Sequence, residues 1–288
     1  MDIAALQAFV AVADTGSFSR AADAVFLTQP AVSKRIAALE SELGIALFDR
    51  LGRGVTLSPA GGALLDQARR ILNEVAEAKR LVTNLAHTVA GPLSLGTSYH
   101  IGLHRLPAAL KTFYGRHPQV QLDLRFMDSE AACREVENGV LELACVTLPP
   151  DPAPILHTDT VWDDPLDIVV GHDHPLAQDD HCDVDRLLDH PAILPVAGTY
   201  TRELIVRALG RVDRPLRIGL ETNHLDVIKM LVSVGFGWSA LPRTLIDAEL
   251  KVVHIEGVAI RRQLGIVTHA ARTLSNAAQA MAALVKQC

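Results

Sequence analysis

The sequence predicts an α/β chain in three parts: a small helical head closed by a two-stranded wing, one long helix, and a larger unit in which strands and helices alternate. Three observations predict it. Residues 17–59 hold two short helical patterns around a tight turn, then two short β-prone runs around Gly52-Arg53-Gly54. Between Leu64 and Leu85, apolar residues step by 4, 3, 4, 3, 4 and 3, the rhythm of a heptad seam. After Gly91-Pro92, which cannot continue a helix, β-prone runs alternate with amphipathic ones to the end of the chain.

The head begins with an amphipathic helix over 2–14, in which Ile3, Leu6, Phe9, Val10 and Ala13 repeat at helical spacing. Ser17 can cap the next helix, and Ala21 and Ala22 let a partner helix come close. Val25 and Leu27 bracket the turn with apolar anchors. Thr28 is placed to cap the following helix with its hydroxyl, and Pro30 falls in the first turn, where a missing N–H costs little. Val32, Ile36, Leu39 and Leu43 share one face; Pro30, Ser33, Lys34 and Ala37 lie on the other. That second face is small, polar and basic, which suits a helix lying in a DNA major groove, and Gln29 at its start can pair with adenine through two hydrogen bonds. Gly44 ends the helix. The strands 47–50 and 55–57 then carry Arg50 and Arg53 to positions suited to phosphates or a minor groove.

The run A-A-x-x-x-x-x-T-Q-P-A-V-S-K-x-I-x-x-L-E-x-x-L-G-x-x-L-F-x-R, followed by G-R-G-V-x-L-S-P-A-G, resembles the winged helix-turn-helix of LysR-type transcriptional regulators, almost without gaps from Ile3 to Gly62. The resemblance implies a DNA-binding domain over 1–58, in which Ser17, Thr28, Gln29, Pro30, Ser33, Lys34, Arg50 and Arg53 are the candidate contacts. It also implies that the heptad helix, 59–90, is a linker that pairs two subunits into a homodimer, which the family often doubles to a dimer of dimers. A symmetric pair sets half-sites one helical turn of DNA apart.

Strands are expected at 93–97, 120–126, 143–146, 166–171, 192–195, 216–220, 238–241, 252–255 and 264–268. Helices are expected at 100–115, 130–138, 200–209, 224–234 and 273–286. The order of the first elements is βαβαβ, hence a parallel sheet. The LysR resemblance extends here through Leu106-Pro107, Gly139-Val140-Leu141-Glu142-Leu143-Ala144, His174-Pro175-Leu176-Ala177 and Gly235-Phe236-Gly237-Trp238, although the family more often has Asp where this chain has Glu142. It implies a periplasmic-binding-protein-like effector domain over 91–288. One subdomain would hold 91–162 and 267–288, the other 163–266, with two crossovers and a cleft between them.

In open parallel sheets, ligands sit at the carboxyl ends of strands beside helix N-termini, where hydroxyls and free N–H groups suit a small anion. Ser98, Tyr99 and His100 follow the first strand and Thr147 ends the third. Thr199, Tyr200 and Thr201 open a helix of the other subdomain, and Asn223 marks a further junction. These eight are the candidate effector contacts, with Tyr99 and Tyr200 as possible aromatic walls. The resemblance points to a small organic acid as effector.

Composition bounds the rest. The chain has 288 residues, 49% apolar and 21% charged, a net charge of −6 and a pI near 6.0. It can bury real cores and is not coated in nucleic acid. Even residues 1–60 carry five basic side chains against six acidic ones, so one head should bind DNA weakly, which favours a dimer or larger assembly. Cys133, Cys145, Cys182 and Cys288 form no C-x-x-C, and the first residues lack a basic stretch before an apolar run, so a reducing cytoplasmic setting with no signal peptide and no membrane contact is expected. His100 and His104 lie four apart, and His172, Asp173, His174, His181 and Cys182 cluster, but neither group has a metal-site pattern; no metal and no cofactor are expected. Nucleotide-binding, hydrolase-elbow and zinc-peptidase motifs are lacking, which argues against an enzyme. Three alternatives stay open: a solute-binding module with a helical partner-docking domain, a redox-sensing regulator using its cysteines, and a small-molecule enzyme with a regulatory head.

Overall fold

A computed structural model describes residues 1–51, 54–85, 88–178, 181–210 and 214–288, apart from the side chains of Arg50, Leu51, Gly54, Thr83 and His181. The chain falls into two compact units, Met1–Ala86 and His87–Cys288.

The first unit holds α1 (Ile3–Thr15), α2 (Phe18–Ala24), α3 (Gln29–Leu43), the hairpin β1 (Phe48–Leu51) and β2 (Gly54–Leu57), and the 26-residue α4 (Pro59–Asn84). Helix starts follow the local chemistry. The Asp2 carboxylate accepts from the N–H of Ala5, and the Ser17 hydroxyl accepts from the N–H of Arg20. Gly16 and Gly44 end α1 and α3 in the left-handed conformation that glycine adopts at little cost. Thr28 stands at the N-cap of α3, but its hydroxyl makes no capping bond, contrary to the expectation from sequence. Leu6, Phe9, Val12, Ala21, Val32, Ile36 and Leu39 form one core; Leu43, expected on the same face, is the last residue of α3 and is 42% exposed. Gly61 lets α4 start against the carbonyl of Leu47, which a Cβ would meet at 2.1 Å.

The second unit is built on a mixed seven-stranded sheet. In chain order its elements are β3 (Gly91–Thr97), α5 (Tyr99–His104), α6 (Pro107–Arg116), β4 (Val120–Phe126), α7 (Ser129–Glu137), β5 (Leu143–Thr147), β6 (Leu156–Gly171), β7 (His181–Cys182), α8 (Val184–Leu188), β8 (Ala192–Leu194), α9 (Tyr200–Leu209), β9 (Ile218–Glu221), α10 (Leu225–Ser233), β10 (Ser239–Pro242), β11 (Leu250–Val252), β12 (His254–Ile255), β13 (Ile260–His269) and α11 (Asn276–Val285). The strand order is β10-β6-β13-β5-β3-β4, with β11 also on β6. The β4-β3-β5 part is parallel, as the βαβαβ order of the first elements predicts, while β13 and β6 run antiparallel to their neighbours and make the whole sheet mixed. The single helix expected over 100–115 is two, broken at Arg105-Leu106, because Pro107 cannot donate into a continuing ladder and starts its own helix.

The 16-residue β6 and the 10-residue β13 are the two connections between lobes. Trp162 and Leu264 pack in the core that includes Leu93, Leu95 and Phe113; four residues away on each strand, Leu166 and Ile260 pack in the core that includes Trp238 and Ile205. Both strands therefore leave one hydrophobic core and enter another. Where they cross, the register shifts at Gly265, whose Cβ would come within 2.0 Å of the Asp159 carbonyl. Among the described residues, no helix is long and apolar enough to cross a membrane.

Candidate functional site

In the first unit, α3 buries Val32, Ile36 and Leu39 and turns Gln29, Pro30, Lys34 and Ala37 outward, with Ser33 half-buried between the two faces. The face opposite the core is thus small and polar, and Lys34 stands on it. The Gln29 side-chain amide donates to the Ser33 hydroxyl at 3.0 Å, a bond that holds the amide along the helix face. Thr28 is exposed, and Ser17 is half-buried with its hydroxyl engaged as the cap of α2. Arg53 lies outside the described residues, as does the Arg50 side chain. Phe26, in the turn between α2 and α3, is 95% exposed at φ 55°, an uncommon place for an aromatic side chain.

In the second unit, Ser98, Tyr99, His100, Thr147, Thr199, Thr201 and Asn223 line one small cavity that opens to solvent. Asn223 reaches it from the loop between β9 and α10, a strand–helix junction. Tyr200 is elsewhere: its ring packs on the cluster of Ala132, Cys133 and Val136, and its phenol meets the Cys133 thiol. It is no cavity wall, because at the first position of α9 its side chain turns into the other lobe's core. Tyr99 does line the cavity, with its ring 5.5 Å from Phe126 and 4.8 Å from His224.

Asp128, Ser129, Glu130 and Arg262 complete the polar lining, and sequence reasoning named none of them. The first three open α7, the helix after β4. Arg262 was legible only as a pair: β13 carries Arg261-Arg262 and β6 carries Asp163-Asp164, and strand alternation must turn one residue of each pair inward. The register sets Arg262 against Asp164. Arg262 Nε donates to Asp164 at 2.6 Å, with both side chains buried, whereas Arg261 and Asp163 pair at 2.7 Å on the exposed face.

Several contacts bind the lobes across the cavity. Arg262 Nη1 donates to the Thr201 hydroxyl at 3.3 Å, the Asn223 amide donates to Asp128 at 2.9 Å, and the Tyr200 N–H donates to Glu130. The N-terminal ends of α7 and α9 come to the cavity, adding the positive ends of two helix dipoles. Burial lowers the Arg262 guanidinium, opposed by Asp164, and it stays charged. Burial, aided by Arg262, lowers His100 to about 3, so its imidazole is neutral near pH 7.

His100 and His104 share a face of α5 with ring centroids 4.9 Å apart. His172 Nε2 bonds the Ala248 carbonyl and His174 Nδ1 accepts from the Leu176 N–H. Among the described residues no group of three His, Cys, Asp or Glu side chains could hold a metal ion. Cys133, Cys145 and Cys182 are buried, and burial pushes the Cys133 thiol up to about 11 and Cys145 up to about 12.

A helix-turn-helix head on a two-lobed domain with a polar cavity defines a class, the ligand-responsive regulators of transcription. Residues 3–62 match the family described as "Bacterial regulatory helix-turn-helix protein, lysR family", and residues 86–288 match "LysR substrate binding domain". The chain belongs to the LysR family of transcriptional regulators, whose members bind promoter DNA and small-molecule effectors and form oligomers. It is 32% identical to the probable RuBisCO transcriptional regulator of Synechocystis, over 96% of this chain and 83% of that one. Over 107 residues, 37% of this chain and 74% of the other, it is 61% identical to an HTH-type transcriptional regulator from the ibpB-leuC intergenic region of Azotobacter vinelandii, described as uncharacterized. Its fold matches full-length OxyR of Pseudomonas aeruginosa with a TM-score of 0.75 at 24% identity, covering 100% of this chain and 95% of that one. CbnR in complex with its target DNA matches with a TM-score of 0.63 at 20% identity, over 100% and 99% of the two chains.

Proposed function

We propose that α3 reads promoter DNA and that a small anionic effector in the cavity of the second unit modulates that reading. Gln29, Pro30, Ser33 and Lys34 face the major groove, while Thr28, Arg50 and Arg53 hold phosphates or the minor groove and Ser17 fixes the start of α2 beside them. The observation that carries this reading is the division of α3 into a buried Val32-Ile36-Leu39 stripe and an outward face of small, polar and basic residues. A groove-reading helix requires an outward face of this kind, small enough for close approach and polar enough to reach base edges. Two heads are joined through α4, since one head carries few positive charges.

For the effector, the support is a polar cavity at the ends of α7 and α9, in which hydroxyls and the Arg262 guanidinium stand beside Asp128 and Glu130, two carboxylates already engaged by Asn223 and the Tyr200 N–H. An anion that stabilises one arrangement of the two lobes shifts the population of arrangements, and with it the geometry of paired heads.

The test separates base reading from phosphate contact. Binding of the full-length protein to duplexes from its own upstream region is measured over a range of salt concentrations. Arg53→Ala is expected to weaken binding on every sequence and flatten the salt slope by about one unit; Gln29→Ala is expected to cost about 1–3 kcal/mol on the preferred duplex alone. Equal loss for Gln29→Ala on preferred and scrambled DNA would remove direct base reading by this residue.

A further inference from the structure

Gln29 and Ser33 stand four residues apart on α3, so their side chains meet along one line of the helix. The two are not equivalent. Ser33 is half-buried between the two faces of the helix, and its side chain is short; Gln29 is exposed, long and free to rotate. Gln29 Nε2 donates to the Ser33 hydroxyl at 3.0 Å. Ser33 is therefore the fixed end of the bond and Gln29 the end that is held. Pro30, in the first turn, stiffens the backbone between them. Side-chain freedom that a loose glutamine would lose on meeting DNA is already removed here.

The bond also changes what the amide can offer. A free side-chain amide has two N–H donors and a carbonyl acceptor. With one N–H given to Ser33, Gln29 keeps one donor and the acceptor. In the major groove adenine presents an acceptor, N7, and a donor, its 6-amino group, which complement that pair. Guanine presents two acceptors, N7 and O6. To satisfy both, the amide must use both N–H groups and leave Ser33. If it stays on Ser33, its carbonyl oxygen faces O6. Where docking has displaced water, either choice leaves a polar group without a partner.

We infer that Ser33 is a positioning residue that makes Gln29 read adenine and reject guanine at one position of each half-site. This rests on the reading of α3 given above and deepens it, naming the base that is chosen and the residue that enforces the choice. Ser33 acts through the amide and needs no base contact of its own to do so. Its hydroxyl serves specificity in two ways: it holds the amide ready for adenine, and it withholds the second donor that guanine would need.

The test measures binding of the full-length protein to a duplex it selects from a random library, and to duplexes in which each A·T pair of both half-sites is changed in turn to G·C. At one position the wild type is expected to prefer adenine over guanine by at least about tenfold, and Gln29→Ala to flatten that preference. At the same position Ser33→Ala is expected to lower the ratio by at least about threefold, weakening the adenine duplex while sparing or tightening the guanine one. A purely structural role for Ser33 would weaken both duplexes alike and leave the ratio unmoved. Added to Gln29→Ala, Ser33→Ala should change the ratio no further. An unmoved ratio in Ser33→Ala overturns the inference. So does a ratio that Ser33→Ala lowers equally with and without Gln29, because Ser33 would then touch the base itself. A Gln29-dependent preference for guanine, or no position at which Gln29→Ala flattens a preference for adenine, overturns it as well. In each of these cases the reading of α3 stands as long as the wild type still prefers its selected duplex over a scrambled one; equal affinity for those two removes that reading too.

Discussion

His100 shows what burial does to a titrating side chain in this fold. Its folded pKa is about 3 against an ordinary 6.5, with burial the largest cause, then Arg262; Asp164 opposes, and His104 and Arg105 add to the lowering. Between those two values the unfolded chain holds a proton that the folded chain does not. His100 therefore favours the folded state above the ordinary histidine value, and that stability is lost as pH falls from 6.5 towards 3. The slope is at most about 1.4 kcal/mol per pH unit. His174, lowered by burial and by His190, acts in the same direction. Urea unfolding at about pH 7 and pH 5 should show a smaller acid loss in His100→Phe than in the wild type; an unchanged loss would contradict this account of the residue. The cysteines give a second expectation. Burial raises Cys133 and Cys145 and encloses Cys182, while Cys288 is exposed. Iodoacetamide at neutral pH should label Cys288 quickly and the other three slowly. Fast labelling of Cys133 or Cys145 would reopen the redox alternative. At this scale the sequence was legible where one residue sits at the junction of a strand and a helix, as with Ser98, His100, Thr147 and Thr201. It was silent on Arg262, because the inward member of an arginine pair is chosen by register with a strand about a hundred residues earlier.

Helix α4 is two surfaces on one element. Leu64, Ala68 and Ile71 of the heptad seam pack on the core of their own unit, whereas Val82 and Leu85, at the end of the same seam, are 70% and 75% exposed. The seam was legible as a period, but the period alone cannot say how much of it α1 will cover. The uncovered end is the part available to a second copy. Replacing both Val82 and Leu85 with Lys should shift the protein from dimer to monomer in sedimentation velocity, since each apolar side chain buried in a pair contributes roughly 1.5–3 kcal/mol. A dimer of unchanged strength would place the pairing surface elsewhere. The strands tell a similar story of partial legibility. The parallel β3, β4 and β5 followed from alternation, yet β6 was foreseen only from Leu166 onward. Its first ten residues, Leu156–Pro165, include Asp159, Asp163 and Asp164, carboxylates that read as loop until Lys286, Arg261 and Arg262 pair with them. Pairing of this kind is tertiary, and no local propensity records it.

For the whole molecule, a DNA-reading head and a ligand-binding domain are separate compact units on one chain. The head was the more legible, because its motif places the turn, the cap of α2 and the outward face of α3 within forty residues. The ligand domain is assembled from contacts between distant segments, and there the junction residues were legible while the charge pairs that complete the cavity were not. The central claim is that the outward face of α3 reads sequence. The most direct measurement selects a preferred duplex from a random library with the full-length protein, then compares its affinity with a scrambled duplex of the same length and salt. The account predicts two inverted half-sites about one helical turn apart and a preference of about a thousandfold or more. Equal affinity for selected and scrambled duplexes, with no half-site emerging from the selection, would contradict it.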